Sequence, residues 1–155
     1  MYHLAQLNVA RMTMPYEDPG MKDFIEALDP VNAAADRSPG FVWRLVSDQC
    51  EDPVLVEFEA SGWLVNMSLW QDLESLRQFV TSPIHLSIMK RRAEWFAKWP
   101  EATMVLWWVE AGHIPAFSEA LSRLEWLREH GPGARAFSFA RPFEQPVSPV
   151  QYAGG

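Results

Sequence analysis

The sequence predicts an α+β domain with a ferredoxin-like β-α-β-β-α-β order: an antiparallel sheet, helices on one face, and an extra C-terminal helix and short strand. Three observations lead there. Four segments carry strand-like alternation or dense apolar runs, helical periodicity fills two of the gaps between them, and Pro/Gly clusters mark the joints. The 155 residues, 48% hydrophobic and 21% charged, suit one globular domain over 1–155, with an irregular Pro-rich tail over 142–155.

His3 to Val9 alternates as a strand, with Leu4, Gln6 and Asn8 on one face and Ala5, Leu7 and Val9 on the other. Met21 to Asp36 reads as a helix that kinks or restarts at Asp29-Pro30. Ser38-Pro39-Gly40 then turns the chain into a strand over Phe41–Val46. Val54, Val56 and Phe58 alternate with polar neighbours and predict a short strand or ordered loop. Leu64 to Trp70 is a firmer strand, followed by a short helix over Leu73–Val80. Ser82-Pro83 has the form of an N-cap and first-turn proline, opening a longer helix to about Trp99. Thr103 to Val109 is an apolar strand, Ala116 to His130 a helix closed by Gly131, and Ala136 to Ala140 a last short strand. The aromatic sheet face that such an order leaves uncovered predicts a second copy as its cover, hence a homodimer.

A net charge of −7 and a pI near 5.0 exclude the basic stripe that nucleic-acid binding needs. Lys90-Arg91-Arg92 is too short to supply one and reads as a solvated helix face. The lone Cys50 excludes a disulfide framework or a cysteine zinc cluster. No run approaches the roughly 20 apolar residues of a membrane helix, and the N-terminus has no signal-peptide pattern, so a cytoplasmic protein is expected. Eight Trp and nine Phe point to a buried aromatic interface, an aromatic-lined pocket, or both.

Asn66, Ser68 and Trp70 share one strand face. An amide, a hydroxyl and an indole there suit the orientation of a flat ligand in a dry pocket; the alternative is Asn66 bonded to nearby backbone and Trp70 simply packed. His85 falls in the first turn after Ser82, where the helix dipole disfavours its protonation. A neutral imidazole can act as a base, a hydrogen-bond partner or a metal ligand, or can merely pack at a rim. Met89 and Arg92 follow on the same side. Asn8, Trp43 and Arg44 complete the candidate ligand-contacting set, with Arg44 suited to an anionic group or to a salt bridge. His3, His113 and His130 lack metal-ligand spacing, Trp95 and Trp99 read as a core stripe with Ile84 and Ile88, and Ser87-Ile88-Met89-Lys90 lacks the companion motifs of acyl-transfer enzymes.

Taken together, Leu4–Val9, Ser38–Arg44, Asn66–Trp70, Ser75-Leu76 through Ser82–His85, Glu94–Phe96 and Leu106–Pro115 resemble the dimeric α+β barrel superfamily that includes the antibiotic-biosynthesis monooxygenases. The nearest likeness is to an uncharacterised branch, a domain of unknown function. The resemblance implies two sheets closing into a barrel and a pocket between sheet and helices. In cofactor-independent monooxygenases of this kind a strand Asn and a Trp four residues later help bind an aromatic polyketide, and Asn66 and Trp70 match that spacing. A tyrosine of one such enzyme meets Leu76 here, which removes direct proton transfer by tyrosine. The implied activity is a monooxygenase-like, cyclase or isomerase reaction on a hydrophobic small molecule, with catalytic roles for His85, Asn66 and Trp70 and no cofactor. Two alternatives stand beside it. One is a haem protein with His85 as ligand, although in haem-binding relatives the ligand falls nearer Met89. The other is a non-catalytic ligand-binding module.

Overall fold

A computed structural model describes residues 1–147. Four strands, β1 (Tyr2–Arg11), β2 (Phe41–Arg44), β3 (Trp63–Trp70) and β4 (Met104–Glu110), form one antiparallel sheet in the order β2-β3-β1-β4. The helices are α1 (Lys22–Asp36), α2 (Pro53–Ala60), α3 (Leu73–Val80), α4 (Pro83–Met89) and α5 (Phe117–His130). The ferredoxin-like order is as expected, with β1 central and paired to β3 and β4.

Alternation along β1 sorts the core into two faces. Ala5, Leu7 and Val9 lie with Met67, Leu69, Val105, Trp107 and Val109. Onto them pack Phe117, Ala120, Leu124 and Leu127 of α5, spaced three, four and three residues apart as one helical stripe, together with Leu55 of α2. The chain itself therefore covers the centre of this face, where Leu7, Val105 and Trp107 are 0% exposed. That centre is not left open as the element order alone suggests. The opposite face, bearing Leu4, Gln6 and Asn8, carries the α1 and α3 contacts through Ala35 and Leu76.

Other departures have local causes. Residues 53–60 are helical rather than extended, because Asp52 caps the Val54 N–H at 2.9 Å and Pro53 occupies the first turn. The helix beginning at Pro83 ends at Met89 rather than near Trp99. Burial of Trp95 at 1% exposure, against Phe24 at 5.3 Å, draws the chain down beside β1, where Phe96 bridges Met12. Trp99 is not part of a core stripe; it is exposed and meets Trp63 edge-on. Pro30 sits inside α1 without a restart. Ser82 stands at the N-cap, but its hydroxyl donates back to the Phe79 carbonyl at 2.6 Å. The last strand is reduced to two isolated bridges, Ala136 to Gly133 and Phe137 to Leu106, and the second seats Phe137 in the core beside the β4 edge. Residues 142–147 have no regular structure, and the rest of the expected tail lies outside the described residues.

Among the described residues no helix is long and apolar enough to cross a membrane. If α5 holds the sheet face shut, Leu124→Ala should lower unfolding stability by about 2–5 kcal/mol in a urea titration. The same change at the exposed Leu86 should cost about 0.5 kcal/mol or less, and equal effects at both positions would contradict the packing.

Candidate functional site

On the β1 face bearing Gln6, the apolar core is split. One cluster holds Leu4, Trp70, Leu76, Leu106 and Phe137; another holds Met21, Phe24 and Trp95, with Leu64 and Ile88 packed against it. Between them the paired strands place Gln6 opposite Ser68 and Asn8 opposite Asn66. The result is a polar strip on the floor of the sheet. Helix α1 spans it, contributing Phe24 to one cluster and Ala35 to the other.

Gln6 and Ser68 are the only buried polar residues among those described, 6% and 7% exposed. Burial of such groups is tolerated when they are bonded, and these are bonded to each other. Gln6 Nε2 donates to Asn66 Oδ1 at 2.6 Å and to Ser68 Oγ at 2.9 Å. Trp70 Nε1 also donates to Ser68 Oγ, at 2.9 Å. Asn66 itself is exposed, with its amide nitrogen on the side away from Gln6. So Asn66 bonds a side chain rather than backbone, and the Trp70 N–H is already engaged.

His85 joins this strip through an aromatic relay. Trp70 stacks on Phe79 with centroids 5.5 Å apart, and Phe79 meets the His85 ring at 5.2 Å, tilted by 62°. The relay leaves His85 at the rim near Trp70. Asn66 lies four residues back along the strand, about 13 Å away at the usual rise. His85 Nδ1 is 3.0 Å from the Val80 carbonyl, which can only accept, so Nδ1 carries the proton and Nε2 keeps a free lone pair. Burial lowers the His85 pKa below its ordinary value, partly offset by the Val80 hydrogen bond. Burial thus disfavours the charged imidazole here.

Three other sequence candidates lie apart. A bulge between Phe41 and Trp43 shifts the register of β2, so Phe41 faces Trp70 while Trp43 packs on the α5 side. Arg44 returns to the strip face opposite Ser68, but its guanidinium is held by Asp36 at the end of α1, 2.8 Å away. Met89 lines a shallow, open depression with Leu86, Lys90 and Arg92. His113, which lacks metal-ligand spacing in the sequence, pairs with Glu119 at 2.8 Å, and Glu119 also accepts from Trp107. Gln6 and Phe79 were not singled out from sequence. The available signal for Gln6 is a polar residue placed between apolar neighbours on both sides in a central strand. No cluster of three or more metal-ligating side chains is found among the described residues.

A ferredoxin-like antiparallel sheet with a polar strip on one face is the class that fold and site define. Residues 3–152 match the family described as a domain of unknown function (DUF3291), and the chain belongs to that family, as the resemblance to an uncharacterised branch implied. No curated protein matches it in sequence. Among solved structures it is similar to a conserved protein from Methanosarcina mazei (15% identity, 71% of this chain and 93% of that one, TM-score 0.48). It is also similar to SnoaB, described as a cofactor-independent oxygenase from Streptomyces nogalater (14% identity, 74% and 97%, TM-score 0.47). A Pseudomonas aeruginosa protein is similar at 9% identity (73% and 97%, TM-score 0.49).

Because the folded pKa of His85 lies below 6.5, the unfolded chain takes up its proton first as pH falls. Stability from burying the neutral ring is therefore complete above pH 6.5 and is lost as pH drops through the folded pKa. Urea unfolding at about pH 7.5 and about pH 5.5 should show this loss, and His85→Phe should reduce it. An unchanged pH dependence in that variant would contradict the assigned environment.

Proposed function

We propose that this chain is an enzyme that abstracts a proton from a hydrophobic, aromatic or polyketide-like small molecule, in the manner of a cofactor-independent monooxygenase. The observation that supports this best is a half-buried His85 ring, held by Nδ1 on the Val80 carbonyl and stacked through Phe79 on Trp70, beside an amide-and-hydroxyl strip flanked by apolar clusters. His85 Nε2 is the base. Asn66, with Ser68 and Asn8 beside it, holds the oxygen of the substrate on which negative charge develops. Trp70 is a positioning residue: its ring packs Phe79 against His85, and its N–H holds Ser68.

For an anthrone-type substrate the balance closes with dioxygen as oxidant. His85 takes one proton from the ring CH2, the carbanion adds dioxygen, and the resulting hydroperoxide loses water to leave a carbonyl. Cyclisation or isomerisation uses the same base and donors with no oxidant. All these parts come from one chain, so the reading does not depend on the expected homodimer.

The test is oxygen consumption with 1,8-dihydroxyanthrone in the presence of a metal chelator. His85→Ala should slow turnover by about 10²-fold or more, and Asn66→Ala by a similar factor. Trp70→Phe should have the smaller effect, because the ring stays. Wild-type rates equal to the uncatalysed rate would defeat the oxygenase reading and favour a ligand-binding module. A Soret band on titration with haem, lost in His85→Ala, would favour the haem alternative instead.

A further inference from the structure

We propose that the cleft between the loop after β1 and the end of α2 is a separate binding site, built for a small ligand that carries one carboxylate and two cationic groups, the chemistry of a basic amino acid. The cleft shares no lining residue with the polar strip or with His85, so this site does not depend on the proposed reaction.

The cleft has a volume of about 440 Å³, within the range of small-molecule sites. Its loop wall is fixed by backbone bonds. Met12 N–H donates to the Gly62 carbonyl at 3.0 Å, Thr13 N–H to the Trp95 carbonyl at 2.9 Å, and Asp18 N–H to the Pro15 carbonyl at 3.0 Å. Arg11 at the end of β1, Glu17 in the loop and Glu59 near the end of α2 all line the cleft. Opposite charges on flexible side chains that share a cleft attract and tend to close on each other. Here they do not: among the described residues Arg11 pairs with no carboxylate, and neither Glu17 nor Glu59 pairs with a cation. Arg11 is held on its own wall instead. Its Nη1 donates to the Ser61 carbonyl, and its guanidinium stands 5.9 Å from the Trp63 ring centroid. It occupies the space that Gly62 leaves, since a Cβ there would lie 2.8 Å from Nη1. That bond uses one of the five guanidinium hydrogens and leaves the others for a carboxylate. On the other side, burial raises the pKa of the half-buried Glu59 against a hydrogen bond from Ser47, with Asp48 adding to the rise. A cation beside Glu59 offsets that cost. Burial and the charges of Asp48, Asp29, Glu17 and Glu59 likewise raise the pKa of Tyr16, which gathers these carboxylates about its hydroxyl. The lining thus carries one positive and two negative charges, and its complement carries one negative and two positive. A simple anion meets repulsion there, and a simple cation leaves Arg11 unanswered. Met14, Pro15 and Ala60 offer apolar surface to the stem between the ligand's charges.

Calorimetric titration of the full chain with L-lysine tests this, beside two probes that each lack one charged group. Cadaverine has no carboxylate, and L-norleucine has no side-chain cation. Wild-type protein should bind L-lysine more tightly than either by about tenfold or more, the scale of one lost charge-assisted hydrogen bond. Arg11→Met should weaken L-lysine by about tenfold and leave cadaverine within about twofold. Glu59→Gln should weaken L-lysine and cadaverine together. Where a variant does not fold, wild-type protein decides by nitrogen-edited NMR: the backbone amide signals of Ser61 and Gly62 should move on addition of L-lysine and less so with either control. No binding at millimolar L-lysine, equal binding of cadaverine or L-norleucine, or unmoved Ser61 and Gly62 signals would each overturn the proposal. So would an equal loss of L-lysine and cadaverine binding in a folded Arg11→Met protein.

Discussion

Strand β1 has neighbours on both edges and side chains buried on both faces. Leu4, Ala5 and Leu7 are 0% exposed, and Gln6 among them is nearly as deep. A central strand in that position must pair every backbone group and cannot leave a polar side chain unanswered. The register of β3 is the answer, because it sets Ser68 directly opposite Gln6 and Asn66 next to it on the same face. A one-residue slip would send Met67 to the strip and Gln6 against an apolar neighbour, so the hydrogen bonds and the pairing specify each other.

The second layer follows from the same constraint. Ala5, Leu7 and Val9 alternate with the polar strip, so any register that serves Gln6 also offers an unbroken apolar floor to the other side. Helix α5 and Leu55 of α2 fill it, and the indole of Trp107 reaches Glu119 of α5 at 3.2 Å. The chain thereby separates two tasks. One face is given to packing without interruption, and the other has its apolar core divided to leave room for polar groups.

Much of this is legible in the sequence. The four strands and helix α3 follow from alternation, apolar runs and Pro/Gly joints, because each is a local signal of sufficient length. The shared face of Asn66, Ser68 and Trp70 follows from period two alone. What is not legible depends on tertiary competition. Val54, Val56 and Phe58 alternate as a strand would, yet Asp52-Pro53 has the same cap-and-proline form as Ser82-Pro83, and the cap prevails. Trp95 ends a helix early because a buried indole outweighs continued propagation. The bulge that sends Trp43 away from Phe41 has no marker in Phe41–Arg44 itself. The partner of Arg44 is likewise set by where α1 ends, which brings Asp36 within reach.

The Gln6–Asn66 hydrogen bond joins residues 60 apart, and β4 reaches β1 from still farther along the chain. During synthesis the first strand therefore waits, unpaired on both edges, while the segments that complete it are made. No local piece of the chain can assemble the polar strip ahead of the rest. The strip comes into being only when β3 pairs with β1, and a chain that has lost that pairing has lost the strip with it.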